Sequence, residues 1–231
     1  MNDTSLLQQL DFDIEDDTNV YFNSKGQSVP RVTEILSKML HSDALMVWAN
    51  NIGLRGQKYR EVLTRAANYG SSAHAAIENY LKKKIKNENN MAFLGYLLWE
   101  ETLKDKGLDI VPILVEYSMA CDWFGGTCDA VLQIGNKIYL ADFKTSNHVT
   151  YKYFLQLAGY IYMLYTVKNI KVDGVIVLQL DKNEPGFNEY ALDFSIPEHF
   201  EFMSHCQMAF FSLVYAYWHC TRTMHEYDMI F

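Results

Sequence analysis

The chain is short of the residues that punctuate or cross-link a fold: only four of its 231 residues are cysteine and only four are proline. Cys121, Cys128, Cys206 and Cys220 form no C-x-x-C pair. Their spacing suits neither a zinc site nor a disulfide scaffold, so they read as reduced and mostly buried thiols. No apolar run reaches the roughly 18 residues of a membrane helix, so no helical span is expected. The first residues carry neither a basic-then-apolar nor an Arg-rich targeting pattern, and an intracellular location is expected. No internal repeat and no low-complexity linker divides the sequence. Positive charge is also scarce, since 20 Lys and Arg against 28 Asp and Glu leave a net charge of −8. That balance argues against a protein that coats nucleic acid nonspecifically. It leaves room for a local basic groove, and bound cations would add positive charge of their own.

Apolar residues make up 49% of the chain, which marks a folded globular protein. The acids crowd at the start, where Asp11, Asp13, Glu15, Asp16 and Asp17 make residues 1–18 an acidic lead-in. A single domain is expected over 19–231. Residues 20–29 read as a hairpin across Asn23-Ser24-Lys25-Gly26, ended by Pro30, which cannot donate to a ladder. Ile35, Leu36, Met39 and Leu40 fall at helical spacing and predict a helix from Thr33. A second helical region spans 44 to about 68, interrupted near Gly53 and Gly56. Gly70-Ser71-Ser72 is expected to open a third over 73–85. Its end carries Lys82-Lys83-Lys84 and Lys86, either a solvated helix end or a contact for a nucleic-acid backbone. Another helix covers 92–106.

From there the pattern changes. Residues 110–118, 125–134 and 138–143 are short β-rich runs, the last two joined by a tight turn at Gly135-Asn136. A helix over 151–167, a strand over 172–180 and an edge strand over 187–194 follow. Pro197 starts a closing helix to about 220. The order predicts an α/β (α+β) fold: a mixed central sheet flanked by helices, with a hairpin and helical part over 19–107 and a sheet core with closing helix over 108–231.

Several residues in this frame carry chemistry. Asp129 lies within a strand, in Gly-Thr-Cys-Asp-Ala-Val-Leu, where an unpartnered acid would be costly to bury. Alone it reads as an edge or turn acid, or as a metal ligand. Asp142 and Lys144 are two apart and share a strand face. Alone they are most simply an ion pair, but together they can hold a cation and face a phosphate. Phe143 between them faces the opposite layer, and its backbone carbonyl is a candidate to complete a coordination shell. Hard ions such as Mg2+ or Mn2+ suit this oxygen-rich set. Glu116, at the end of the preceding strand, is a further acid or a structural partner. His74 is either a structural helical histidine or a ligand. Gln156 and Tyr160 share a helix face that follows Lys144 directly. Trp123, Tyr151 and Tyr153 are candidates to stack on unpaired bases.

Taken in order, Gly70-x-x-x-His74, Glu116, Gly126-x-x-Asp129, Asp142-Phe143-Lys144-Thr145 and Gln156-x-x-x-Tyr160 resemble the PD-(D/E)XK nuclease superfamily in its RecB-like branch, over roughly residues 20–180. Val29-Pro30-Arg31-Val32-Thr33 is similar to the V-P-S-V-T segment of phage-type and mitochondrial genome maintenance exonucleases, with Arg31 where serine is common. The resemblance implies a restriction-endonuclease-like core. It implies metal held by Asp129, Asp142, His74 and the Phe143 carbonyl, with Lys144 as catalytic lysine. Glu116 matches an acid one strand earlier, and Gln156 and Tyr160 match a motif that orients the site and contacts DNA. The implied activity is a Mg2+- or Mn2+-dependent DNA exonuclease of phage-type recombination, repair or replication, encoded by a phage of a bacterial host. A structure-specific endonuclease and a catalytically silent DNA-binding subunit are the alternatives. The implied partners are DNA with a single-stranded portion or free end and a single-strand annealing or binding protein. The cysteines of the iron–sulfur members are missing, so no iron–sulfur cluster is expected.

Overall fold

A computed structural model describes residues 19–40 and 43–221, so the acidic lead-in over 1–18 and residues 222–231 lie outside the described residues. A short hairpin comes first, β1 (Tyr21–Phe22) pairing with β2 (Ser28–Val29). Gly26 takes the left-handed conformation (φ 72°) that its turn needs, and Asn23 Oδ1 accepts from the N–H groups of Lys25 and Gln27. Four helices follow: α1 (Val32–Met39), α2 (Asp43–Leu54), α3 (Tyr59–Lys83) and α4 (Met91–Asp105). Arg31 is the N-cap residue of α1, and its backbone bridges to Gly125.

The expectation that Gly70-Ser71-Ser72 opens a helix is corrected, because these residues lie inside α3, which runs unbroken for 25 residues. One glycine costs a helix only about 1 kcal/mol against alanine. The far half of α3 buries Ala73, Ala76, Ile77, Tyr80 and Leu81, which outweighs that cost. The real break is Gly56 (φ 71°), where the N–H groups of Gly56 and Gln57 close onto the carbonyls of Gly53 and Ile52. The lysine run is the exposed end of α3. Lys82 pairs with Glu78 at 2.6 Å, and Lys84 (φ 59°) caps the helix with its ammonium over the Tyr80 ring.

One five-stranded mixed sheet forms the centre, in the order β3 (Ile110–Ala120), β4 (Gly125–Ile134), β5 (Lys137–Lys144), β6 (Gly174–Leu180), β7 (Phe187–Asp193). Neighbours are antiparallel except β5 and β6, which are parallel. A parallel pair needs a crossover, and α5 (Tyr151–Lys168) supplies it. Pro112 is tolerated because β3 is an edge strand. β3 continues to Ala120, so Glu116 lies within the strand rather than at its end. The closing helix, α6 (Pro197–Ala216), passes into a π-helical turn at Tyr217–Thr221 instead of continuing as an α-helix.

The sheet separates two cores. On one face α1, α5 and α6 pack through Val32, Ile35, Leu157, Met163 and Phe210 against Val131, Leu140, Val175 and Val177. On the other, α3 and α4 pack through Ile77, Phe93, Tyr96 and Trp99 against Ala130, Leu132, Phe143 and Leu178. Of the cysteines, Cys128 and Cys206 are buried, Cys121 is half-buried and Cys220 is exposed. Among the described residues no helix is long and apolar enough to cross a membrane.

The hairpin joining β6 and β7 is clamped by α4, since a Cβ on Gly95 would land on the Gly186 backbone carbonyl, well inside contact distance. Gly95→Ala is therefore expected to cost about 1–3 kcal/mol through overpacking. Urea unfolding of the two proteins measures it, and an unchanged midpoint would refute the clamp.

Candidate functional site

The site begins as an irregularity in the β3–β4 ladder. In a regular strand successive side chains alternate faces. Here Leu114 packs in the α5/α6 core and Val115 in the α3/α4 core, yet Tyr117 and Met119 both return to the α5/α6 side. On β4, Cys128 and Val131 face α5/α6 while Ala130 and Leu132 face α3/α4. Both strands thus change parity at one rung, at Glu116 and Asp129, between the pairs Val115↔Ala130 and Tyr117↔Cys128. Glu116 has φ 46°, in the left-handed region that a non-glycine residue adopts at a cost. The result is that two acids from neighbouring strands point toward α3, where His74 stands.

His74 Nδ1 lies 3.4 Å from Asp129 Oδ1 and 3.5 Å from Glu116 Oε1, and donor atoms of the three residues all fall within 4.8 Å of one another. The other ring nitrogen, Nε2, sits 2.8 Å from the Phe143 carbonyl oxygen. A carbonyl only accepts, so the proton belongs on Nε2 and Nδ1 is turned toward the acids. The Phe143 carbonyl, expected among the metal donors, accepts this bond and so orients the imidazole. Such a carbonyl contact is the usual way a ligating histidine is held.

The electrostatics follow from crowding. Burial opposes charge on His74, but Asp129 and Glu116 outweigh it and hold the imidazole well above its ordinary range. Burial pushes Asp129 up, yet His74, Lys144 and the Phe143 N–H, which donates to Asp129 Oδ2 at 2.7 Å, pull it below the usual carboxylate range. Burial and the neighbouring Asp129 push Glu116 up, although His74 pulls the other way. The β4–β5 ladder stops at Ala130↔Ala141, so the next amide of β5 with this geometry bonds a side chain rather than a strand.

β5 passes the opening with Asp142 and Lys144 on its α5 side and Phe143 opposite, its ring edge-on to Tyr96 at 5.6 Å. Asp142 is only 1% exposed, with the Lys144 ammonium 3.2 Å from its Oδ1. It stands outside the His74–Glu116–Asp129 group and does not line the cleft. Lys144 Nζ reaches Gln156 Oε1 at 3.4 Å, and Gln156 Nε2 donates to Tyr160 Oη at 3.1 Å. Gln156 lines the cleft, whereas Tyr160 lies behind it, 2.7 Å from where a Cβ on Gly126 would stand. Glycine is required there by the ring. Tyr153, expected as a stacking candidate, is 3% exposed. Its ring carries the Lys144 ammonium at 4.8 Å from the centroid. Trp123 and Tyr151 are exposed, and neither lines the cleft.

His74, Glu116, Asp129, Phe143, Lys144 and Gln156 thus meet in one cavity of about 580 Å3, at the carboxyl end of β5. Two charged residues at the cleft escaped the sequence reading, Glu78 and Lys182. Glu78 is four residues after His74, so helical spacing carried a signal for it. Lys182 sits in the β6–β7 hairpin, and nothing local marks it.

His74 makes one prediction for the chelated protein. Its folded pKa is raised, so its contribution to stability is complete below the unfolded value of about 6.5 and is lost as pH rises through the folded value. Thermal unfolding with chelator should show the wild type losing its margin over His74→Gln across that interval. A constant margin would contradict the ion-paired imidazole.

No protein-family model matches this chain, and no curated protein matches it.

Proposed function

We propose that the cleft is the active site of a divalent-metal-dependent deoxyribonuclease, acting as an exonuclease on DNA with a single-stranded portion or free end. One arrangement carries this: an imidazole nitrogen and two carboxylates converge within 4.8 Å, beside a buried lysine in the same cavity. The donor set suits a hard cation, since two of its three atoms are carboxylate oxygens and its third is a nitrogen freed for ligation by the Phe143 carbonyl. When bound, a divalent ion there lowers the pKa of water and offsets phosphate charge.

The chain's own residues take the remaining roles. His74, Glu116 and Asp129 would hold the ion. Asp142 sets the Lys144 ammonium from below, and Gln156 and Tyr153 set it from the α5 side. Lys144 then faces the cleft, where it stabilises charge developing on the phosphoryl oxygens. The likeness of these residues, in order, to the RecB-like PD-(D/E)XK pattern supports the same reading. Basic residues also fall close together in the sequence around the start of α3, whose later turns line the cleft: Arg55, Lys58, Arg60 and Arg65, on a chain of net charge −8. Basic residues concentrated there favour a phosphate backbone locally. A phage-type setting with a single-strand annealing or binding partner belongs to this proposal.

Lys144→Ala should reduce cleavage of end-labelled DNA by at least about 10²-fold with an unchanged circular dichroism spectrum. Asp129→Asn and Asp142→Ala should do the same, and a Lys144→Ala protein cutting at the wild-type rate would defeat the assignment. Comparing linear with circular DNA, in Mg2+, Mn2+ or chelator, tests end dependence and metal requirement together.

Binding the ion would displace the His74 proton, so apparent Mn2+ affinity should rise as pH climbs above about 6.5 toward the raised folded value, with proton release. His74→Gln should bind more weakly and lose that slope. Calorimetry in two buffers of different ionisation enthalpy reads both.

A further inference from the structure

A second cavity, of about 340 Å3, opens beside the donor cleft at the carboxyl end of β6. The two share Thr145, Ser146, Asn147 and Lys182 on their walls. The volume lies at the lower end of the roughly 300–1,000 Å3 typical of ligand pockets. Its chemistry differs from that of the first. No histidine lines it, and its one acid, Asp181, is committed to the turn by accepting from the Asn183 N–H at 2.7 Å.

Amides dominate instead. Gln179 Nε2 donates to the Ser146 carbonyl at 2.8 Å, and its Oε1 accepts from Asn188 Nδ2 at 3.1 Å. Gln179 is thereby locked and fixes the Asn188 amide, whose Oδ1 bonds no described residue. The Asn183 side-chain amide and the Lys182 ammonium likewise bond no described residue. The turn that carries them is braced from both helices. Tyr69 of α3 donates to the Lys182 carbonyl at 3.2 Å, and Gly95 of α4 lies against Gly186.

A lone ammonium at the junction with oriented neutral amides beyond it suits an anion followed by a polar heterocycle. Asn and Gln amides offer a donor and an acceptor together, the combination that reads base edges. We propose that this cavity is a subsite for the nucleotide adjoining the scissile phosphate, with Lys182 on the adjacent phosphate and Asn183 and Asn188 on the base edge. The subsite rests on the hydrolase reading above and adds to it a place where base identity is sensed.

The test uses the full chain and short single-stranded oligonucleotides that vary in the bases flanking one cleavage position. Lys182→Ala should raise KM about ten-fold and reduce its salt dependence. Asn188→Ala should flatten the preference among flanking bases. Unchanged KM and unchanged preference in both variants would overturn the subsite while leaving the hydrolase in place. A second readout needs no turnover: calorimetric titration of nucleoside 5′-monophosphates with chelator present. Wild type should bind them, and Lys182→Ala about ten-fold less tightly. Absence of binding, or equal binding by both proteins, overturns the subsite. Should the wild type cut nothing in any metal, the hydrolase reading falls, and the titration still decides whether the cavity takes a nucleotide.

Discussion

Three electronegative atoms facing one another cannot stay that way without positive charge between them. His74 Nδ1, Asp129 Oδ1 and Glu116 Oε1 stand in that relation, at separations of 3.4 and 3.5 Å from the imidazole nitrogen. These distances are long for a strong N–H···O bond, whose usual range ends near about 3.2 Å. A proton on the imidazole satisfies the group partly, and a divalent cation would satisfy it further. The rest of the molecule serves to keep these atoms from turning away. Asp129 is tied to the Phe143 N–H and His74 to the Phe143 carbonyl, so one peptide segment of β5 fixes two of the three.

The sheet makes this possible by failing to be regular. An alternating strand would send Glu116 toward α5/α6, away from His74. The positive φ at Glu116 aims it at α3 together with Asp129, at a backbone cost of order 1–3 kcal/mol. That strain is affordable only because both faces of the same strands are anchored in cores. Parallel β5 and β6 impose the second half of the design. Their crossover brings α5 back over the sheet, so Gln156 and Tyr153 reach Lys144 from the layer opposite to His74. Helices on the two faces therefore address one opening, where the β4–β5 ladder has ended.

Much of this was legible in the sequence. Element types and order, the mixed sheet, the turn at Gly135 and the shared face of Asp142 and Lys144 follow from periodicity two and 3.6. What stayed hidden depends on tertiary context. Gly70 reads as a helix start because glycine usually breaks helices, but burial of Ala73 and Ile77 carries α3 through it. Glu116 carries no local mark of a left-handed backbone, since only its partner rung requires one. Tyr153 resembles an exposed aromatic on a helix start, and only the position of Lys144 reveals its ring as a cation support. The Phe143 carbonyl was visible as a spare acceptor, but its partner, His74, lies 69 residues away.

The acidic balance of the chain gains a meaning from the same triad. While a proton sits among the donors, the cleft holds Glu78, Glu116 and Asp129 against His74, Lys144 and Lys182, a balance that offers a phosphate backbone no net attraction. Exchanging one proton for a divalent cation raises the local charge by one unit, in a partly buried place where screening is weak. On the hydrolase reading, loading the metal and attracting the substrate are then one event. An overall charge of −8 therefore does not oppose nuclease action. It disfavours nonspecific adhesion across the surface and, on that reading, leaves the attraction to Lys182, Lys144 and the ion itself.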